Sequence, residues 1–350
     1  MDKSNLTETL TAILQSKTNK VLSKSILHTA DAMKISSSID RFCQQNLGSS
    51  VVSCLYAGFS VGASFGLTLL DGREIFLKLH KPTSNEDLNA ISMNSLTTIS
   101  HIQGHLAEAG FPCPNVILQP IKYENSIITV QSFEDVGEQK DAHDPLIRKA
   151  LARTFSELIA RTQSYKAEKD LTYGRLFTTP SLYPNPHNEL FNFEKTAKGA
   201  EWIDEIAITA KKVTNEVKGE TVIGHADWSL KNLRLQGNKV VMVYDWDSLT
   251  LEDELNLLGI AAATFPTSWD IETKITPSPE EAYLFVREYE YFRGKSFSKK
   301  ELEKIAAATT YCIAYTARCE HAIDSFGNRL EGSFRQALEK INGNKSLYFL

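Results

Sequence analysis

Two carboxylates and a carboxamide, Asp227, Asp245 and Asn232, lie within one stretch of this sequence, residues 221–249. Asn232 follows Asp227 by five residues on a predicted loop, and Asp245 ends the second strand of a predicted hairpin. A short loop and the end of an adjacent hairpin can bring three side chains to one point. Hard oxygen ligands suit Mg²⁺ bound to nucleotide phosphates, and a separate carboxylate can accept a proton from an attacking hydroxyl. The stretch therefore predicts a Mg²⁺–nucleotide site.

The order His-x-Asp-x-x-x-x-Asn, with an aspartate thirteen residues after the asparagine, resembles the catalytic and metal-binding segments of protein-kinase-like phosphotransferases. The letters HADWSLKN, with YDW in place of DFG, are similar to the aminoglycoside phosphotransferase and choline kinase branch. The resemblance implies that Asp227 is the catalytic base, that Asn232 and Asp245 bind Mg²⁺, and that His225 braces the loop. Each residue alone is an ordinary turn former. Asp247 is either a further ligand or a solvated turn residue.

Upstream, the sequence predicts three antiparallel strands, with an Asp71-Gly72 hairpin turn between the last two. The loop joining the first two contains Gly58, Ser60 and Gly62, and its glycines would let backbone amides approach phosphates. Its spacing departs from the kinase pattern, so ordinary hairpin glycines are an equal alternative. The resemblance implies that Lys78, on the third strand, contacts the phosphates. An exposed strand lysine is the alternative for that residue.

A helix is predicted over residues 83–109 from its apolar side and from the glycine after it. In kinase-like folds this helix supplies a glutamate that pairs with the strand lysine. The expected positions, 94–97, contain no acid. The nearest glutamates are Glu86 and Glu108, and Gln103 is a neutral candidate partner.

A second strand pair, residues 116–123 and 126–133, is predicted to lead to the hinge between two lobes. The resemblance implies that Gln131 and Phe133 bind the nucleotide there, through backbone hydrogen bonds to an adenine edge. Residues 1–48 show helical spacing and predict a helical extension without visible chemistry.

The second half of the chain is predicted to be mainly helical. A charged linker without periodicity precedes a helix start at Asp144-Pro145, and a long helix is predicted over 188–217. Capping-box sequences at Ser278 and Ser298 each predict the start of a helix, and a last helix is predicted over 331–341.

These observations predict an α+β fold of the bilobal protein-kinase-like type. Its parts are an N-terminal helical extension, 1–48, an antiparallel-sheet N-lobe that binds nucleotide, 49–133, and a mainly helical C-lobe, 134–350. The implied reaction is transfer of the γ-phosphoryl group of ATP, with Mg²⁺, to a hydroxyl of a small molecule. The missing helix acid and the irregular glycine loop motivate one alternative, a nucleotide-binding pseudokinase. Nucleotidyl transfer on the same fold is the other alternative.

Composition narrows the class of protein. The hydrophobic fraction of 42% and the charged fraction of 23% are ordinary for a soluble chain, and the net charge of −5 disfavours nucleic-acid binding. The five cysteines are scattered, and no apolar run approaches the length of a membrane span. We therefore expect a cytoplasmic protein with no membrane association, no nucleic-acid partner and no obligate protein partner.

The acceptor is suggested only by charge. Between Asp245 and Glu290 the sequence has eleven acids against Lys274 and Arg287, which favours a cationic hydroxyl compound such as an amino alcohol, an aminosugar or an aminoglycoside-like compound. Aromatic residues of the same region could stack on such an acceptor. The alternative is that the acids cap helices or lie on solvated loops and that the aromatic residues belong to the core. Those aromatic residues are Phe265, Trp269, Tyr283 and Tyr291.

Overall fold

The computed structural model describes residues 5–81, 91–165, 170–186, 190–325, 332–342 and 347–350. The chain forms two compact units. The first unit contains Met1–Glu108 and Pro114–Asp135, and the second contains Ala109–Cys113 and Val136–Leu350.

The first unit begins with three helices, α1 (Leu6–Ile13), α2 (Lys17–Leu27) and α3 (Ala32–Leu47). Each starts where a polar side chain accepts a hydrogen bond from the first turn, from Asn5, Ser16 and Asp31 respectively. Their apolar faces, with residues such as Leu10 and Phe42 fully buried, join one core with the strands that follow. The N-terminal helices are therefore built into the first unit.

The sheet of the first unit is antiparallel throughout. Its strands are β1 (Val51–Phe59), β2 (Ala63–Leu69), β3 (Glu74–His80), β4 (Val116–Tyr123) and β5 (Ser126–Ser132), in the order β1-β2-β3-β5-β4. The strands predicted from sequence are all found. Gly72 turns the chain between β2 and β3 with a φ of 87°, in the left-handed region that glycine adopts readily.

Helix α4 (Met93–Glu108) begins later than the sequence predicts. Ser92 starts it, because its hydroxyl accepts a hydrogen bond from the Ser95 N–H at 3.0 Å, so Ile91 and Ser92 precede the helix. The predicted residues 83–90, including Glu86, lie outside the described ranges.

The second unit is mainly helical, as predicted. Its elements in chain order are α5 (Pro145–Thr162), α6 (Arg175–Thr178), α7 (Glu201–Thr214), β6 (Thr221–His225), β7 (Leu233–Gln236), β8 (Lys239–Val243), β9 (Leu249–Asp253), α8 (Glu254–Thr264), α9 (Pro279–Arg293), α10 (Lys299–Ile323) and α11 (Phe334–Asn342). Strand β6 pairs with β9 and β7 pairs with β8, both antiparallel. Helix α10 packs on α7, α8 and α11.

The helix starts predicted in the second unit are confirmed. Asp144 caps α5, and the capping boxes at Ser278 and Ser298 open α9 and α10. The long helix predicted over 188–217 is wrong, because within its described part, 190–217, the helix that forms is α7. Gly199 has a φ of 84° and interrupts helical geometry just before α7 begins.

The predicted linker after the first unit is partly ordered on the second unit. Glu138 exchanges two backbone hydrogen bonds with Leu235 on β7, at 2.9 and 2.8 Å. Gly137 precedes it with a φ of 67°, and a Cβ there would lie 2.8 Å from the Leu235 carbonyl oxygen. This close approach requires glycine, which the charged composition of the segment does not reveal.

Of the helices within the described ranges, none combines the length and the apolarity that a membrane span would need. All five cysteines are buried and unbonded to one another. Burial raises the pKa of the Cys43 and Cys312 thiols to about 12, so these side chains act as small core residues.

Candidate active site

The loop between β6 and β7 is braced by His225. Its imidazole is 1% exposed, and its Nδ1 accepts a hydrogen bond from the Asp227 N–H at 3.2 Å. Its Nε2 donates to the carbonyl oxygen of Tyr244 at 3.0 Å, just past the end of β8. The ring therefore joins the loop to the end of the hairpin, which is the bracing position that the sequence predicts for it.

The two hydrogen bonds of His225 require a neutral ring, with the proton on Nε2. Burial lowers the pKa of His225, while the nearby carboxylates of Asp227 and Asp245 raise it less. The neutral form matches the acceptor role of Nδ1, since a protonated Nδ1 would oppose the Asp227 N–H. The brace is thus present while His225 is uncharged.

Asn232 closes the same network from the other side. Its side-chain Nδ2 donates to the carbonyl oxygen of Asp227 at 2.9 Å, and its backbone carbonyl oxygen accepts from the Tyr244 N–H at 2.8 Å. Because Nδ2 donates its hydrogen bond to the loop, the other end of the Asn232 amide, Oδ1, points away from that bond and can serve as a metal ligand.

Asp245 has an unusual backbone conformation at the end of the hairpin, with φ 62° and ψ 48°. Its carboxylate Oδ2 accepts a hydrogen bond from the Ser248 hydroxyl at 3.1 Å. The short turn that follows, Trp246–Ser248, contains the half-buried Asp247. Left-handed backbone is rare for residues other than glycine, asparagine and aspartate, and it collects at functional sites.

Residues 109–113 hold the hairpin end in place. The Val243 N–H donates to the carbonyl oxygen of Pro112 at 2.8 Å, and the rings of Phe111 and Trp246 pack edge to face with centroids 6.0 Å apart. No role was predicted from the sequence for residues 110–113. Their support of the Asp245 segment is a long-range contact that no local pattern signals.

The carboxylate of Asp227 has two neighbours from its own loop. Oδ2 pairs with the Lys231 ammonium at 2.8 Å, and Oδ1 accepts from the Ser229 hydroxyl at 3.3 Å. Both side chains of the ion pair are about one third exposed, at 32% for Asp227 and 34% for Lys231. Sequence reasoning missed Lys231, although a lysine four residues after a candidate base is a visible signal.

Asn232 and Asp245 suit a hard divalent cation, because both can offer oxygen and neither is a soft ligand. Within the described part of the chain, no three or more His, Cys, Asp and Glu side chains form a group that could hold a metal. A metal bound here would therefore complete its coordination with phosphate oxygens and water, which is the usual arrangement for Mg²⁺ beside a nucleotide.

The predicted nucleotide residues lie in the first unit. The Ser60 N–H donates to the Gly62 carbonyl oxygen at 2.9 Å and closes a tight turn between β1 and β2. A Cβ on Gly62 would lie 2.5 Å from the Leu79 carbonyl oxygen and 3.8 Å from Cε of Lys78. A Cβ on Gly58 would lie 2.5 Å from the Tyr56 hydroxyl. At Gly62 the contact is with the backbone, so the sheet itself requires glycine there, whereas at Gly58 the Tyr56 side chain can move aside; the Lys78 side chain runs beside the turn.

The residues predicted for the hinge, Gln131 and Phe133, lie at the end of β5 and directly after it. Gln131 is paired on both sides, with Phe76 of β3 and Val116 of β4, and its side-chain Oε1 accepts from Gln103 at 2.9 Å. The Phe133 N–H donates to the Glu74 carbonyl oxygen at 3.1 Å. These groups belong to the sheet, because β5 lies between β3 and β4 and the Phe133 N–H continues the pairing with β3. The Phe133 N–H is therefore already used within the sheet.

The acids that suggested a cationic acceptor are mostly engaged within the second unit. Glu254 pairs with Arg293 at 2.6 Å and accepts from the Tyr289 hydroxyl at 2.7 Å, and Glu288 pairs with Arg148 at 2.9 Å. At least five of the eleven form ion pairs, namely Asp253, Glu254, Glu281, Glu288 and Glu290. At least three more, Asp245, Glu252 and Asp270, accept hydrogen bonds from uncharged groups. Several partner cations lie outside residues 245–290, so a charge count over that window overstates the acidity of the surface.

Comparison with known proteins gives the family. The model of the phosphotransferase enzyme family APH matches residues 59–295, more than half of the 350 residues. The chain belongs to this family. Membership makes it a phosphotransferase, and the predicted enzyme class, a small-molecule kinase with an alcohol group as acceptor, is confirmed. A search of curated protein sequences finds no relative of this phosphotransferase.

Solved structures show the fold. An amicoumacin kinase in complex with AMP-PNP, Ca²⁺ and its antibiotic matches with a TM-score of 0.57 at 11% identity, covering 89% of this chain and 95% of that one. A spectinomycin phosphotransferase in complex with ADP and spectinomycin matches with a TM-score of 0.52 at 13% identity, covering 89% and 96%. A GDP complex of aminoglycoside 2'-phosphotransferase-IIIa matches with a TM-score of 0.56 at 11% identity, covering 89% of this chain and 99% of that one. The predicted α+β, protein-kinase-like fold is confirmed.

Proposed function

We propose that this phosphotransferase moves the γ-phosphoryl group of ATP, with Mg²⁺, to a hydroxyl of a small molecule. The observation that carries the proposal is the hydrogen-bonded network of the β6–β7 loop. His225 and Asn232 hold the backbone of Asp227 on both sides and tie it through Tyr244 to the segment that bears Asp245. Phosphoryl transfer depends mainly on positioning and electrostatics, and such a network supplies fixed positions.

Asp227 is the proposed catalytic base. Its side chain is partly exposed on a loop whose backbone is fixed, so an acceptor hydroxyl can reach the carboxylate. The hydroxyl proton passes to the carboxylate as the oxygen bonds to the γ-phosphorus and the bond from phosphorus to the nucleoside diphosphate oxygen breaks. His225 takes no part in this transfer, since both of its ring nitrogens are committed to the brace.

Asn232 and Asp245 are the proposed Mg²⁺ ligands. When bound, the ion would neutralise charge on the phosphates during transfer. In the first unit we propose that the turn containing Gly58, Ser60 and Gly62 lies over the phosphates and that Lys78 contacts them as a point charge.

Gln131 and Phe133 are proposed for the adenine end of the nucleotide. Gln131 is paired within the sheet and the Phe133 N–H is used there, so we propose that their side chains make the contact. The Phe133 ring lies against Gly66, where an added Cβ would be 2.5 Å from its Cε2. This packing fixes the ring at the end of β5.

The proposed acceptor class is an amino alcohol, an aminosugar or an aminoglycoside-like compound. Two observations support a ring-bearing acceptor: the indole of Trp269 is 66% exposed, and it lies beside the loop of Asp227 through Lys231. The spectinomycin in the complex described above supports an antibiotic-like amine, and so does the kanamycin in a GDP and kanamycin complex of another similar phosphotransferase, with a TM-score of 0.53 at 12% identity. Because most of the acids of residues 245–290 have partners within the second unit, counting charges no longer supports a cationic acceptor.

The test is incubation with Mg²⁺, a panel of hydroxyl compounds and ATP labelled either at the γ- or the α-phosphorus. Label from the γ position in an acceptor, lost in Asp227→Asn, is the expected result. Transfer of the α label with release of pyrophosphate would replace the proposal by nucleotidyl transfer. Nucleotide binding without transfer to any acceptor would replace it by a nucleotide-binding pseudokinase. A parallel series with GTP tests the choice of nucleotide.

A further inference from the structure

Lys231 forms an ion pair with the proposed base. Its ammonium lies 2.8 Å from Asp227 Oδ2 and 5.8 Å from the centroid of the Trp269 ring. One cation therefore lies between the carboxylate that an acceptor hydroxyl must reach and an exposed indole.

The backbone on both sides of this contact is fixed. The Lys231 N–H donates to the Thr267 carbonyl oxygen at 3.0 Å, and the Leu230 N–H donates to that of Phe265, also at 3.0 Å. These bonds hold the segment after α8 against the loop. They define an acceptor wall, made of Lys231 and Trp269.

The far end of the acceptor wall is anchored too. Gln139 Nε2 donates to the Asp270 carboxylate at 2.8 Å, and the Ser268 hydroxyl donates to Gln139 Oε1. Trp269, between these two residues, is held by its neighbours while its own ring stays exposed. The wall is a built surface, and its exposure does not come from a loose loop.

A contribution to stability does not explain the ion pair. Pairs of this exposure contribute about 0–1 kcal/mol in proteins, because water screens the charges. Its position has a clearer consequence. The two groups that would bind an acceptor's amine, a carboxylate and an aromatic face, already hold the protein's own ammonium.

We infer that Lys231 is a specificity-determining residue, which disfavours acceptors with an amine next to the reacting hydroxyl. An amine on a neighbouring carbon would bring a second positive charge close to Lys231. The acceptor wall then takes a hydroxyl flanked by neutral groups, with a flat ring face toward Trp269 and any amine farther away. This inference rests on the proposed function and narrows its acceptor class.

The first experiment needs no knowledge of the acceptor. Ethanolamine is titrated into the protein while the indole N–H NMR signal of Trp269 is followed, with the signal assigned by its loss in Trp269→Phe. In Lys231→Met, a neutral side chain of similar length, ethanolamine should shift this signal at concentrations about tenfold lower than in the wild type. Lys231→Arg keeps the charge and should behave like the wild type.

A matched control comes from the same unit. The Lys149 ammonium lies 5.6 Å from the centroid of the exposed Tyr291 ring, which is the same kind of contact without Asp227. Lys149→Met should leave the Trp269 titration unchanged. Equal ethanolamine titrations in the wild type and Lys231→Met, with unchanged thermal unfolding, would overturn the inference.

The second experiment measures selectivity with acceptors that differ by one amine, such as glucose and glucosamine. The preference for the neutral member, as a ratio of kcat/KM, should fall about tenfold in Lys231→Met and be restored in Lys231→Arg. An unchanged ratio would contradict the inference. If label reaches no acceptor, the proposed function fails, whereas the indole titration still decides the role of Lys231.

Discussion

Asp227 combines a fixed backbone with a reachable carboxylate. Its N–H and its carbonyl oxygen are both hydrogen bonded within the loop, while its side chain is 32% exposed. Glu254, in contrast, is buried and hydrogen bonded to Tyr289. The two carboxylates therefore differ in what surrounds them, and only that of Asp227 is open to an acceptor hydroxyl of the proposed kind.

Asp227→Asn should abolish most turnover and leave nucleotide binding intact, because the lost group acts on the acceptor. We expect kcat to fall about 10²–10⁴-fold, the usual range for a general base. Single-turnover kinetics and a nucleotide titration measure the two effects. Ser229→Ala is the control, since the Ser229 hydrogen bond to the same carboxylate is long, at 3.3 Å. A variant that kept half of the wild-type rate would remove Asp227 from its role.

Asp245→Asn tests the metal ligand without disturbing the backbone. Asparagine tolerates the left-handed conformation at this position, whereas alanine would add strain to the loss of the ligand. We expect the Mg²⁺ concentration for half-maximal activity to rise at least about tenfold. Asp247→Asn, two residues on, is the matched control. If the Mg²⁺ concentration for half-maximal activity were equal in Asp245→Asn and wild type but higher in Asp247→Asn, the metal ligand would be Asp247.

Helix starts that depend on local contacts were predicted from the sequence, whereas features that depend on backbone conformation or on distant partners were not. The starts of α5, α9 and α10 were predicted correctly because a cap is a contact between residues at most three apart. The long helix over 188–217 was not, because composition does not show that Gly199 adopts a positive φ. The sequence also did not show which acids near the ends of elements form ion pairs, since their partners lie on helices distant in sequence.

Glu254→Gln should destabilise the protein without changing which acceptors it uses. The change leaves the Arg293 guanidinium, 16% exposed, without its buried carboxylate partner. Breaking a buried pair of this kind typically lowers the free energy of unfolding by about 3 kcal/mol. Denaturant unfolding measures the loss, and the acceptor panel measures selectivity. Lower activity toward amines alone, at unchanged stability, would make Glu254 an acceptor contact.

For the whole molecule, His225 links stability to pH. The folded protein keeps the ring neutral, whereas the unfolded chain protonates it near its ordinary pKa of 6.5. The folded pKa is lowered, so this contribution is complete above about pH 6.5 and is lost as the pH falls toward the folded pKa. Glu252 has the opposite sign, because burial raises its pKa and its contribution is lost as the pH rises through the folded value.

The free energy of unfolding should therefore fall as the pH is lowered from 6.5. In His225→Gln, the free energy of unfolding should depend less steeply on pH over the same interval. Glutamine can keep one hydrogen bond of the brace but cannot take up a proton. Urea unfolding at several pH values measures both slopes. Equal slopes in wild type and variant would mean that His225 does not titrate differently in the folded and unfolded chains.

Sequence alone determined the local features of this phosphotransferase. It gave the polar residues of the β6–β7 loop, the position of the hairpin turn, and the helices that start at capping residues. These follow from contacts between near neighbours, so the order and spacing of residues contain them. Sequence likewise indicated the family through HADWSLKN and YDW.

Only the tertiary structure decided which charges meet. Glu288 is neutralised by Arg148, 140 positions away in the chain, and Pro112 holds the end of β8 from a segment far upstream. Electrostatic and hydrogen-bond energies depend on distances in space, and distances between residues far apart in sequence are set only when the chain has folded.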